Sequence, residues 1–105
     1  MQEVAVVAIF VAKPGKEEEL RQLAEANVEP TRQEAGALQY DLHRDIKEPR
    51  RFIFVERWES EAALEEHGKT AHIQAFRAKA PEFVEHGEVH VASKLLCRRS
   101  AKTEA

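Results

Sequence analysis

The run Val4-Ala-Val-Val-Ala-Ile-Phe-Val-Ala12 constrains the fold most, because it is apolar at every position and rich in valine. Alternating strands have one buried face, whereas a continuous apolar run reads as a strand buried on both, so each side needs a cover. The run is too short to cross a bilayer and lacks the basic start and small-residue cleavage site of a secretion signal. A chain of 105 residues has room for one modest core, burying roughly two-thirds of its unfolded surface. Residues 1–97 therefore read as one domain, and the polar, aperiodic stretch 98–105 as a flexible tail. Charges are interspersed and sum to −3, so there is no basic stripe for a nucleic-acid backbone. The single cysteine, Cys97, cannot form an internal disulfide and reads as a small hydrophobe in a reducing compartment. These features together predict a cytoplasmic protein.

Downstream of the apolar run, Pro14-Gly15 turns the chain, and Leu20, Leu23, Ala24, Asn27 and Val28 follow helical spacing behind the acidic start Glu17–Glu19. Pro30 should stop or kink this helix, and Gly36 is a plausible end signal. Leu38, Tyr40 and Leu42 alternate with Gln39, Asp41 and His43 in a strand, joined by a turn over 44–50 to a second strand that starts at Phe52. Ser60 and Thr70 suit N-caps and Gly68 a helix end, which predicts two short helices in series, the second stopping before Pro81. A last strand is expected over Glu88–Cys97. The order strand, helix, strand, strand, helix, strand is the ferredoxin-like split βαβ pattern, an α+β fold with a four-stranded antiparallel sheet. Its helices cover one sheet face. The other face, bearing half of the Val4–Ala12 side chains, predicts a homodimer in which two sheets pack face to face.

Strand alternation puts Phe52, Phe54, Glu56 and Trp58 on one face, so a carboxylate shares its side with three aromatic rings. Such a carboxylate is either a hydrogen-bonded anchor or a functional group. The strand runs into a helical segment ending at His67, with His72 in the next. These histidines are five residues apart, so a continuous helix would turn them to different faces. No cysteine or tight carboxylate cluster completes a ligand set, and no metal is expected.

The segments Pro14-Gly15, Gly36-Ala-Leu-Gln-Tyr40, Phe54-Val-Glu56-Arg-Trp58-Glu-Ser60 and His67-Gly-Lys-Thr-Ala-His72, in this order and spacing, resemble the antibiotic biosynthesis monooxygenase superfamily of dimeric α/β barrels. The resemblance covers Val4 to about Leu96. It implies a ligand cavity between sheet and helices in each subunit. The haem-degrading members carry an asparagine, a tryptophan and a haem-ligating histidine where this chain has approximately Ala8, His67 and Arg77, so haem degradation is not expected.

Within that frame His67 is the candidate proton acceptor for a phenol-like hydroxyl, since imidazole titrates near neutral pH. His72 and Glu56 are further catalytic candidates, Glu56 as a partner orienting His67. Tyr40, Phe54, Trp58 and Phe76 are candidates for the wall that holds a planar ring. His43 and His90 read as surface or interface. The expected activity is a cofactor-independent monooxygenase acting on a small hydroquinone or electron-rich phenol with molecular oxygen. No Gly-x-Gly-x-x-Gly loop is present for a nucleotide cofactor. Two other readings remain open. One is an isomerase of a small phosphorylated metabolite, with Lys69, Arg44 or the helix start at Thr70 as phosphate contacts. The other is a binding domain without turnover.

Overall fold

A computed structural model describes residues 2–96. Cys97 and the stretch 98–105 lie outside the described residues. The element order is β1 (Val4–Ala12), α1 (Glu17–Glu25), α2 (Val28–Arg32), β2 (Ala37–Arg44), β3 (Arg51–Trp58), α3 (Glu61–Gly68), α4 (Ala71–Lys79), a 3-10 turn (Ala80–Glu82) and β4 (Val84–Ser93). The sheet runs β2-β3-β1-β4, antiparallel throughout, which is the ferredoxin-like α+β arrangement. Among the described residues no helix is long and apolar enough to cross a membrane.

Register explains which side chains meet. Val6 stands between Glu56 on β3 and Val91 on β4, and Ala8 between Phe54 and Val89. These even-numbered positions face the helices and form the core with Tyr40, Trp58, Ala24 and Phe76. Full burial of a ring such as Phe54 or Trp58 contributes about 1.5–3 kcal/mol or more. On the opposite sheet face Val7 meets Val55 and His90, and Ile9 meets Ile53 and Glu88. Val7 is 39 % exposed in one chain. A single copy thus leaves this side of β1 without the cover its sequence calls for.

Several local features differ from the sequence reading. The first helix breaks between Glu25 and Val28, ahead of Pro30, which sits in the first turn of α2 where its missing N–H costs no helical bond. Gly36 does not end a helix. It is buried at the start of β2, and a Cβ there would stand 2.4 Å from the Ala63 Cβ, so the glycine permits α3 to pack against the strand. A bulge at Leu38 interrupts the expected alternation: Ala37 pairs with Trp58, Gln39 with Arg57, and Leu38 is left 46 % exposed. The last strand begins at Val84 and ends at Ser93, not at Cys97. Its polar first half forms because β1 offers a pairing edge; Gly87 lies opposite Phe10.

The two short helices form as their caps predict. The Ser60 hydroxyl accepts from Ala63 N–H at 3.1 Å, and Thr70 Oγ1 accepts from Ile73 N–H at 3.4 Å. The break between Gly68 and Ala71 reorients the chain and decides where the two histidines point.

Candidate functional site

Between the sheet and helices α3 and α4 lies a cleft of about 530 Å³. Its polar end is lined by His67, Glu56, Tyr40 and Asn27. Its flank is formed by Phe10, Phe54, Ile73 and Phe76, with Phe10 and Phe54 each edge-on to Phe76. Towards the sheet edge the wall is Gly87, Val89 and Val91 of β4, and Arg77 is the basic side chain on the lining. The volume lies within the range of small-molecule sites, and a mostly apolar wall with a few convergent polar groups is their usual make-up.

His67 sits in the last turn of α3, 4 % exposed, its ring tilted on Trp58 with centroids 4.6 Å apart. Its Nδ1–H donates to Glu34 Oε2 at 2.8 Å. The same oxygen accepts from His72 Nε2–H at 2.7 Å. This pattern assigns the neutral Nδ1–H tautomer to His67, and its Nε2 lone pair remains for a bound molecule. Burial pushes the imidazole below its ordinary pKa, while the Glu34 carboxylate pulls the other way.

Glu56 is 5 % exposed and accepts one hydrogen bond from Trp58 Nε1–H at 2.9 Å. Burial pushes its carboxyl up to about 7; the indole bond counters this and the Glu34 charge adds to it. Around neutral pH a large share of this group is the neutral acid, able to donate a hydrogen bond. Tyr40 takes a hydrogen bond on its hydroxyl from Asn27 Nδ2 at 3.0 Å, and burial holds its pKa well above the ordinary value. Asn27 itself is 3 % exposed, and its Oδ1 has no partner among the described residues.

Of the residues singled out in the sequence, His67, Glu56, Tyr40, Phe54 and Phe76 line the cleft, whereas Trp58 and His72 do not. Trp58 is fully buried behind the wall, where it holds Glu56 and backs His67. His72 stands beside His67, ring centroids 5.9 Å apart, and shares the Glu34 oxygen with it. The partner that orients His67 is therefore Glu34 and not Glu56. Glu34 lies in the bend between α2 and β2, where no motif or period marks it. From the sequence no carboxylate is expected to complete a set with the two histidines, yet Glu34 does so. The break between α3 and α4 turns both towards Glu34, and the three donor atoms lie within 4.8 Å of one another. Among the phosphate contacts considered, Lys69 pairs with Glu66 at 3.2 Å, Arg44 lies over the Phe52 ring, and Thr70 is used as a cap.

The comparisons with known proteins agree with this architecture. The profile of the family described as "Antibiotic biosynthesis monooxygenase" matches residues 3–79. The Bacillus subtilis protein named "Putative monooxygenase YcnE" is 38 % identical over 81 residues, covering 77 % of this chain and 85 % of that one. The Mycobacterium tuberculosis protein named "Putative monooxygenase Rv0793" is 37 % identical over 81 residues, covering 77 % and 79 %. Its solved structure superposes with a TM-score of 0.86 at 33 % identity over 93 % of this chain and 99 % of that one. The structure of PA3566 from Pseudomonas aeruginosa gives 0.87 at 33 % identity, covering 91 % and 97 %. From β1 through α4, the chain belongs to the antibiotic biosynthesis monooxygenase family.

Proposed function

We propose that this protein is a cofactor-independent monooxygenase that oxidises a small hydroquinone or other electron-rich phenol with molecular oxygen. The observation that carries the reading is His67, whose ring lines an apolar cleft while its Nδ1–H is tied to a carboxylate. That arrangement supports a general base: Glu34 fixes the tautomer and stabilises the imidazolium that forms on proton uptake.

Ground-state oxygen reacts slowly with closed-shell molecules, but a phenolate is reducing enough to give it one electron. His67 Nε2 takes the hydroxyl proton, and the phenolate passes an electron to oxygen, leaving an aryloxyl radical and superoxide. The two combine at a ring carbon, and the peroxide takes the proton back from His67. Loss of water from that hydroperoxide, with the ring C–H proton, leaves a carbonyl. The balance is phenol plus O2 to quinone plus water. The rings of Phe54, Phe76 and Tyr40 hold the aromatic plane and exclude water. The protonated form of Glu56, which also lines the cleft, donates to a second oxygen substituent.

The open sheet face supports a homodimer as the working form, with Val7, Ile9, Ile53 and Val55 at the centre of the contact. A second reading, isomerisation of a small phosphorylated metabolite, is favoured only by Arg77, which would meet an anionic group in the cleft. Oxygen dependence separates the two.

The test is oxygen uptake by metal-stripped protein over a panel of hydroquinones and catechols. His67→Ala is expected to lower the rate by roughly 10²–10⁴-fold. Turnover unchanged in that variant would remove His67 from the mechanism.

A further inference from the structure

Behind the cleft wall, Glu34, His67 and His72 converge from the α2–β2 bend, the end of α3 and the start of α4. Two imidazole nitrogens and one carboxylate oxygen are the donor set of first-row divalent cations. Metal–donor bonds of ~2.0–2.2 Å put neighbouring donors roughly 3–3.6 Å apart. The present separations from Glu34 Oε2 are 2.8 and 2.7 Å, and all three donor atoms lie within 4.8 Å of one another, so an ion replacing the two shared protons needs side-chain shifts on the order of 1 Å. Charge is also suitable. Among the described residues, Glu34 forms ion pairs only with these histidines, so with both rings neutral the cluster carries one negative charge. His72 and Glu34 are partly exposed and give the ion an approach from solvent, while neither lines the cleft.

We infer that Glu34 Oε2, His67 Nδ1 and His72 Nε2 form a binding site for one divalent ion of zinc-like character, on the far side of His67 from the cleft, and that its occupancy switches off the base. The chemistry of imidazole makes the switch. Without metal, Nδ1 carries the proton and Nε2 offers a lone pair to the cleft. A neutral imidazole bound through Nδ1 carries its proton on Nε2, so His67 becomes a donor where the reaction needs an acceptor. The switching half rests on His67 being the base; the binding half does not.

A rival for any cation is present on the open sheet face, where His86 and His90 of β4 hold the two oxygens of Glu88 at 3.0 and 2.7 Å beside the proposed dimer contact. The experiment is a titration of the full, metal-stripped chain with Co2+, read by its visible absorption, followed by displacement with Zn2+. One Co2+ per chain is expected. Glu34→Gln and the partly exposed His72→Ala should each weaken binding at least about tenfold, with folding checked by thermal melts. The double variant His86→Ala/His90→Ala should bind as the parent does. Absence of binding, or binding lost in the β4 variant and retained in Glu34→Gln, overturns the site. Nitrogen NMR of His67 decides the switch: Zn2+ should move its proton from Nδ1 to Nε2, and an unmoved proton with ion bound overturns that half. If the metal-free protein consumes no oxygen with any phenol, the proposed reaction fails while both of these readouts still stand.

Discussion

Replacing Glu56 by glutamine removes one titration from the core while leaving an oxygen to accept the Trp58 N–H. The wild-type carboxyl has an ordinary value of 4.5 and is pushed up to about 7 by burial in the fold. Between those values the unfolded chain has released its proton while the folded chain keeps it, so stability falls as pH rises through the window. At roughly 1.36 kcal/mol per pH unit the loss is about 3 kcal/mol by about pH 8, and it is absent below the unfolded value. Glutamine does not titrate. Urea denaturation of both proteins at matched concentration should give similar stabilities near pH 4.5, with the variant ahead by about 3 kcal/mol near pH 8. In melting temperature that is roughly 10–20 °C for a domain of this size. His67 opposes the trend: its lowered pKa costs stability as pH falls below its ordinary value. Both proteins share that contribution, so their difference isolates Glu56. Parallel stability curves across the range would show instead that Glu56 is ionised in the fold at neutral pH.

Other outcomes follow from single contacts. Gly36→Ala forces a methyl against Ala63 Cβ, 2.4 Å away with no flexible end to yield, and should cost ~1–3 kcal/mol in denaturant titrations. Glu34→Gln keeps an acceptor for His67 but removes the charge that raises its pKa. Oxygen uptake should fall at least roughly tenfold, and the acid limb of the pH–rate profile should move to lower pH. Val7→Glu puts a charge in the middle of the open sheet face, where Val55 and His90 flank it. Sedimentation should show a dimer for the parent and a monomer for this variant; a monomeric parent would discard the dimer.

Much of the fold was legible because it rests on patterns that side-chain sterics enforce. The alternation Phe52, Phe54, Glu56, Trp58 fixed one face of β3, and the caps at Ser60 and Thr70 marked two short helices. What escaped the reading depends on tertiary contact. The polar start of β4 becomes strand only because β1 supplies a pairing edge, and the bulge at Leu38 settles which residues of β2 face inward. Gly36 read as a helix end, yet its role is to let Ala63 approach.

The site was legible in part for the same reason. Spacing alone put Phe54 and Glu56 on one face of β3, and the family resemblance, not periodicity, brought Tyr40 and His67 to the same cleft. Trp58 shares that face but lies too deep to reach the cleft, a matter of packing depth that periodicity does not carry. Glu34 is separated from His67 by 33 positions and stands in a bend without a motif. Only the folded arrangement shows that one carboxylate oxygen joins the two histidines.

Whether His67 turns a bound phenol into its anion can be read with a nitrophenol, whose anion is coloured and which oxygen leaves intact. Titrated anaerobically into metal-stripped protein at a pH below its own pKa, the bound nitrophenol should show the anion's absorption. His67→Ala should bind it in the neutral, colourless form. Neutral nitrophenol in the cleft of the parent protein, or equal ionisation in both, would show that His67 is not the base.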